Sequence, residues 1–119
     1  MSKLVGSWGE AKSAEYLRKK GYKIEAMNYY SRYGEIDIIA RKKKIVVFVE
    51  VKLRKDDKFA KAAEFVSISK QKKIILTAQA YLQEKDDRKS QARFDVIEIY
   101  APFGISDEFS LNHIENAYE

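Results

Sequence analysis

Three acids and a lysine interrupt two apolar runs in the middle of the chain. Glu35 and Asp37 stand in EIDIIAR (35–41), and Glu50 and Lys52 stand in IVVFVEVK (45–52). Carboxylate oxygens are the ligands that Mg²⁺ takes in proteins, and a neighbouring lysine can hold or activate a water. This set of groups suits metal-assisted hydrolysis of a phosphodiester, because a bound metal polarises the phosphoryl oxygen and lowers the pKa of bound water.

The four residues converge if both runs are β-strands. Side chains alternate across a strand, so Glu35 and Asp37 share one face of the first run, and Glu50 and Lys52 share one face of the second. A turn centred on 43–44 makes an antiparallel hairpin in which Asp37 opposes Glu50 and Glu35 opposes Lys52. No Asn-Gly or Asp-Gly fixes that turn, but a shift of register by two residues keeps all four on one face.

The alternative is a structural role for these charges. Glu35 and Lys52 could form a plain cross-strand ion pair, with Asp37 and Glu50 solvated at a sheet end, as charged residues at strand ends usually are. The acids stand mid-run, however, with apolar residues on both sides. Opposed like charges destabilise a strand pair by up to about 1 kcal/mol, and desolvation adds to this cost. A divalent cation would compensate, so the pattern favours a site.

Two helices are predicted to flank the hairpin. Ser7 and Glu10 fit a capping box that opens the first helix, which ends near Lys20 because Gly21 follows. Ser67 or Ser69 caps the second helix, which runs to about residue 84.

Strands are predicted over 22–29, 35–41, 45–52 and 93–100. Residues 53–66 are interpreted as a loop, and 109–118 are ambiguous between a strand and a helical turn. The order α-β-β-β-α-β predicts an α/β fold, a single domain over residues 1–119 with a mixed central β-sheet flanked by helices.

Composition indicates a basic globular protein. The 119 residues are 45% hydrophobic and 34% charged, with a formal net charge of +5. Up to residue 97 there are 23 Lys and Arg against 13 Asp and Glu, which suits a polyanionic partner. The absence of cysteine excludes disulfides and thiolate metal sites. No signal peptide or membrane-spanning run is visible, so we expect a cytoplasmic protein and no membrane partner.

Further basic residues could contact nucleic acid. Lys70, Gln71 and Lys73 lie at the start of the second helix, where cations oppose the helix dipole and phosphate contact would explain them. Other cations would follow a nucleic-acid backbone: Arg41, Lys42, Lys43, Lys44, Arg54, Lys55, Lys58 and Lys61. A solvated basic surface explains these charges about as well. Tyr29, Tyr30 and Tyr33 could stack on bases, although aromatic side chains more often fill a core or an interface.

These motifs resemble the YraN family of bacterial endonuclease-like proteins, within the PD-(D/E)xK nuclease superfamily and similar to archaeal Holliday junction resolvases. Asp37, followed after thirteen residues by Glu50 and then Lys52, matches the D…E-x-K pattern, inside GEIDIIA (34–40) and FVEVK (48–52). The segments 8–22, 65–82 and 93–99 also resemble the family, so the likeness covers nearly the whole chain. The superfamily's proline is absent, and Ile36 precedes Asp37.

The resemblance implies a restriction-endonuclease-like core and a Mg²⁺- or Mn²⁺-dependent endonuclease. Asp37, Glu50 and Glu10 would hold the metal, Lys52 would position the water, and Glu35 would assist. Glu10 matches a helix carboxylate of resolvase-like nucleases, and the capping box explains it equally well.

The expected substrate is DNA rather than RNA, branched DNA included, and the sequence allows a homodimer. The alternative function is a non-catalytic nucleic-acid-binding module that retains the nuclease fold.

Overall fold

A computed structural model of the chain describes residues 3–55 and 66–119. The elements are α1 (Lys3–Lys19), β1 (Lys23–Ser31), β2 (Gly34–Lys42), β3 (Ile45–Arg54), α2 (Ile68–Glu84), β4 (Gln91–Tyr100) and β5 (Ser110–Tyr118). The five strands form one sheet in the order β1-β2-β3-β4-β5, in which β3 and β4 are parallel and the other neighbours antiparallel. The predicted mixed sheet with flanking helices is confirmed, and the ambiguous last segment is a strand.

Two local predictions were wrong. Helix α1 already includes Lys3, so Ser7 lies inside the helix and cannot be its N-cap. A Ser-x-x-Glu pattern is equally compatible with a helix interior, and Gly6 does not stop this helix. Strand β3 continues to Arg54, past the predicted start of a loop at residue 53. The rest of that predicted loop, with Lys58 and Lys61, lies outside the described residues except for its ends.

The two helices cover opposite faces of the sheet. Leu17 of α1 packs in one buried cluster with Val47 and Val49 of β3, while Tyr81 of α2 packs in a second cluster with Phe48. Successive side chains of β3 therefore enter two different buried clusters, one on each face of the sheet. This explains why the sequence of β3 is almost continuously apolar. Neither helix in the described part of the chain has the length and apolar character needed to cross a membrane.

The C-termini of β3 and β4 and the turn between β1 and β2 lie at the same end of the sheet, which we call the open end. Strands β3 and β4 both finish there, since Arg54 is in register with Tyr100, and β1 turns into β2 there through the pair Ser31 and Gly34. Buried Gly9 lies so close to Leu53 that an added Cβ would come within 2.7 Å of it, so α1 packs tightly on β3 at this end. The opposite end carries the β2–β3 turn.

Candidate functional site

The β2–β3 hairpin has the predicted register. Its paired residues run from Lys42 and Ile45 at the turn to Ile38 and Val49, and Asp37 and Glu50 come one step further towards the open end. At this point the Oδ2 atom of Asp37 accepts a hydrogen bond of 2.8 Å from the backbone N–H of Val51. The carboxylate of Asp37 therefore accepts the backbone N–H of Val51 at the end of the β2–β3 hydrogen-bond ladder. This bond fixes the carboxylate beside Glu50.

The environment of Asp37 disfavours a negative charge. Burial, and after it the charge of Glu50, raise the pKa of Asp37 to about 7, against the opposing effect of the hydrogen bond from Val51. The charges of Glu10 and Glu35 add to the rise. The carboxylates are therefore close enough to repel one another across a poorly solvated region.

Two lysines contact the buried carboxylate of Glu50. The side chain of Glu50 is 6% exposed, and the Nζ atom of Lys70 is bonded to its Oε1 atom. The Nζ atom of Lys52 lies 3.5 Å from the same oxygen. Burial lowers the pKa of Lys70, but the hydrogen bond and charge of Glu50 outweigh it, so the net shift is upward. The predicted alternative, a Glu35–Lys52 ion pair, does not occur among the ion pairs of the described residues.

A cavity of about 340 Å³ opens in front of these groups. Asp37, Glu50 and Glu35 line its sheet side, and Lys70 and Lys73 line it from the first turns of α2. Ser67 caps α2 by accepting a hydrogen bond from the backbone N–H of Lys70, which sets the direction in which the helix enters. The cavity therefore places carboxylates opposite ammonium groups at the open end of the sheet.

Asn28 is a site residue that the sequence did not reveal. Its Nδ2 atom donates to Glu10 Oε1 at 3.1 Å and to Glu35 Oε1 at 3.1 Å, so one amide connects α1 with β2. Its backbone has φ of 49°, a conformation in which asparagine is enriched. An asparagine inside an otherwise regular strand pattern is the one signal that could have pointed to it. Because Ser7 lies inside α1, Glu10 has no capping role and is available for this contact.

The other predicted basic residues divide between the two ends of the sheet. Arg54 ends β3 at the open end, Lys55 follows it, and Gln71 on α2 donates to the carbonyl of Val66. Lys43 lies in the β2–β3 turn, six residues from Asp37 along the strand, or about 20 Å away. Arg41 is also at that far end.

The guanidinium of Arg41 is fully engaged there. It forms ion pairs with Glu25 at 2.8 Å and Asp87 at 2.9 Å, and it donates to Ser90. The structure therefore does not bring Arg41 together with the acids of the open end.

The donor set at the open end limits what it could bind. Among residues 3–55 and 66–119, no three His, Cys, Asp or Glu side chains form a group that could hold a metal ion. Glu10 is not joined with Asp37 and Glu50 into such a group, although its charge acts on Asp37. Mg²⁺ needs only one or two carboxylates, since it keeps several waters. Asp37 and Glu50 fit that requirement.

Comparisons with known proteins agree on one family. The model of an uncharacterised protein family, UPF0102, matches residues 9–99. A UPF0102 protein of Caldanaerobacter subterraneus is 46% identical over 98% of this chain and 95% of its own length. A UPF0102 protein of Clostridioides difficile is 43% identical over 98% of both chains, and one of Syntrophomonas wolfei is 40% identical over 99% of this chain and its own full length.

Proposed function

This chain belongs to the UPF0102 (YraN) family, and we propose that it is a metal-dependent nuclease that hydrolyses phosphodiester bonds of nucleic acid, DNA in preference to RNA. The observation that carries the proposal is the convergence of Asp37 and Glu50 at the end of the β2–β3 ladder, with Lys52 and Lys70 beside them.

The carboxylate pair supports a divalent cation. A fold gains nothing from two acids set against each other in a poorly solvated place, since like charges across strands are destabilising. A hard cation held by Asp37 and Glu50 would remove that repulsion. When bound, Mg²⁺ or Mn²⁺ would polarise a phosphoryl oxygen and lower the pKa of a water.

The surrounding groups supply what the carboxylates lack. Lys52 would donate a hydrogen bond to the attacking water or to a phosphoryl oxygen, because its ammonium reaches into the same region as Glu50. Lys70 and Lys73, on the opposite wall of the cavity, would contact the phosphate. Glu10 and Glu35, tied together through Asn28, would complete the negative side of the site.

A cleavage assay tests the proposal. The purified protein is incubated with Mn²⁺ and with linear, flapped and four-way DNA, and with single-stranded RNA. We expect Mn²⁺-dependent cleavage of at least one DNA substrate, abolished by chelator, by Asp37→Asn and by Glu50→Gln. Asp86→Asn is the matched control, since it removes an exposed carboxylate and the same charge far from the site. Cleavage unaffected by Asp37→Asn, or absent from every substrate, would contradict the proposal.

Binding and cleavage should separate. The excess of Lys and Arg supplies affinity for the polyanion, so binding should weaken steeply as salt is raised. Asp37→Ala should retain binding to DNA while cleavage is lost. A wild-type protein that binds DNA with this salt dependence and cleaves none of the substrates would instead be a binding module.

A further inference from the structure

A second cavity, of about 280 Å³, opens beside the cavity of Asp37 and Glu50 and shares Glu35 with it. Its walls come from the first turns of α1 and from β1, and include Lys3, Ser7, Glu10, Asn28 and Tyr30. A Cβ added at Gly6 would meet nothing within 4 Å, so no neighbouring side chain closes the cavity there. The two cavities therefore adjoin at Glu35, which lines both of them.

The aromatic ring of Tyr30 is the unusual feature of this second cavity. The residue is 70% exposed, although a tyrosine normally buries its ring. The place of the ring is set by the backbone, since Tyr30 is in register with Glu35 across β1 and β2. A ring beside the two carboxylates with its surface open to solvent is available for stacking on a flat ligand such as a base.

The polar walls define what could stack there. The carboxylates of Glu10 and Glu35 are held 3.1 Å from the Asn28 amide nitrogen, and their remaining lone pairs can accept hydrogen bonds. Two carboxylates repel phosphate but accept N–H donors. A nucleobase offers both a flat surface for the ring and amino groups for the carboxylates, such as the N6 amino group of adenine or the N4 amino group of cytosine.

We propose that this second cavity is a subsite for an unpaired nucleobase, with Tyr30 as the stacking surface and Glu10 and Glu35 as hydrogen-bond acceptors. The inference rests on the proposed function, since the phosphate of the same strand would lie in the adjoining cavity between Asp37 and Lys70. Glu35 belongs to both cavities and marks the point where base and phosphate would separate.

The subsite predicts the substrate class. A base inside a duplex is covered by its neighbours on both sides and paired along its edge, so it can stack on Tyr30 only after leaving the duplex. Extrusion of a base from a duplex costs free energy, and it costs least for a base that is already unpaired. The preferred substrate should therefore carry an unpaired nucleotide, as in a bulge, flap or junction, rather than a continuous duplex.

A binding experiment in chelator tests the subsite without cleavage. Two labelled DNA duplexes are compared by fluorescence anisotropy, identical except that one carries a single unpaired adenine. Stacking on one aromatic ring corresponds to about tenfold in affinity, so wild type should prefer the bulged duplex by roughly that factor. Tyr30→Ala should lose the preference, and Tyr30→Phe should keep it. Phe103→Ala is the matched control, since Phe103 is 71% exposed and lies outside the cavity.

A 2-aminopurine at the unpaired position gives an independent readout, because stacking on Tyr30 should quench its fluorescence in wild type and not in Tyr30→Ala. Equal affinity of wild type for the two duplexes, or an undiminished preference in Tyr30→Ala, would overturn the subsite. If the protein cleaves with Mn²⁺ but Tyr30→Ala keeps the preference for the bulged duplex, the proposed nuclease activity is supported and the proposed subsite is wrong. If the preference for the unpaired base depends on Tyr30 and no substrate is cleaved, the proposed subsite is supported and the proposed nuclease activity is wrong.

Discussion

The ammonium group of Lys70 is bonded to the carboxylate of Glu50, which ties the first turn of α2 to the central strand β3 at the open end of the sheet. Glu50 is almost fully buried, and its second cation, Lys52, lies further away at 3.5 Å. A buried carboxylate that lacks a good partner costs free energy. In the metal-free protein, Lys70 therefore supplies the positive charge that a divalent cation would supply in the proposed nuclease.

Lys70→Met tests this relationship. The variant should lower the free energy of unfolding in chelator by about 1–3 kcal/mol, near the lower value because Lys52 remains. For a domain of this length, each 1 kcal/mol lowers the melting temperature by roughly 4 °C. Mn²⁺ should stabilise the variant more than wild type, since its Glu50 then has no strong cationic partner. Thermal melts with and without Mn²⁺ measure both effects.

Lys73→Met is the control for Lys70→Met. Lys73 lines the same cavity from the same helix but forms no ion pair among those of the described residues, so its replacement should leave the melting temperature in chelator nearly unchanged. Equal melting temperatures for the two variants would show that the bond between Lys70 and Glu50 contributes nothing.

The hairpin was predictable because its information is local. A strand period of two fixes which side chains share a face, and a short basic connection fixes an antiparallel pair. Together they give the register that brings Asp37 next to Glu50. The helices were predictable for a similar reason, since a 3.6-residue apolar period and the glycine at position 21, with φ of 95°, mark where they lie and end.

The missing parts of the site depend on tertiary packing. Which cation would reach Glu50 follows from the direction in which α2 enters the site, and neither Lys70 nor Lys52 could be assigned as its partner from spacing. Asn28 contacts Glu10 because α1 packs closely on the sheet at Gly9. Arg41 lies four residues beyond Asp37 on β2, towards the β2–β3 turn, and what the sequence did not reveal is its pairing there with Glu25 and Asp87.

Asn28 can be tested by two substitutions that tolerate its positive φ. Asn28→Gly keeps the backbone free to adopt φ of 49° but removes the amide. Asn28→Asp keeps the size and turns a donor into a third carboxylate between Glu10 and Glu35. Because like charges are then brought together, Asn28→Asp should have a lower melting temperature than Asn28→Gly in chelator at neutral pH. The difference between the two melting temperatures should decrease at acidic pH, where the carboxylates are protonated. Thermal melts at both pH values check this.

The activity of the same two variants separates positioning from backbone structure. If Asn28 only shapes the strand, Asn28→Gly should cleave like wild type. If it positions Glu10 and Glu35, Asn28→Gly should lower kcat more than it raises KM. Identical melting curves for the two variants at neutral pH would show that the amide does not hold the two glutamates.

Asp95 is a buried acid at the β4–β5 edge of the sheet, away from the β2–β3 hairpin. It is fully buried beside an irregularity in the β4–β5 pairing, accepts hydrogen bonds from Arg93 and from the backbone N–H of Asn116, and lies 2.7 Å from the His113 ring nitrogen. Burial opposes its charge, but these hydrogen bonds hold the pKa of Asp95 below its usual value. Arg93, Asp95 and His113 therefore have a structural role at the β4–β5 pairing.

The lowered pKa of Asp95 gives a pH dependence of defined sign. Its stabilising contribution is fully present above the unfolded pKa near 4, and it is lost as the pH falls through the lower folded pKa. Asp95→Asn should therefore cost about 3–5 kcal/mol at pH 7, since it removes the nearer and fully buried carboxylate partner of Arg93 and leaves only Glu115, at 3.8 Å. The cost should shrink as the pH falls below about 4. Urea unfolding at several pH values, with exposed Asp107→Asn as control, measures it. A cost independent of pH would contradict this account.

The repulsion between Asp37 and Glu50 gives the most direct test of the candidate site. Asp37→Asn removes one of the two charges, and its amide oxygen can still accept the hydrogen bond from Val51. Relief of cross-strand repulsion amounts to about 0.2–1 kcal/mol, which for a domain of this length corresponds to at most roughly 4 °C. In chelator, the variant should therefore melt as high as wild type or a few degrees higher. Mn²⁺ should raise the melting temperature of wild type more than that of the variant. If Asp37→Asn is clearly less stable than wild type in chelator, Asp37 is a structural acceptor for Val51, and the proposed metal site is wrong.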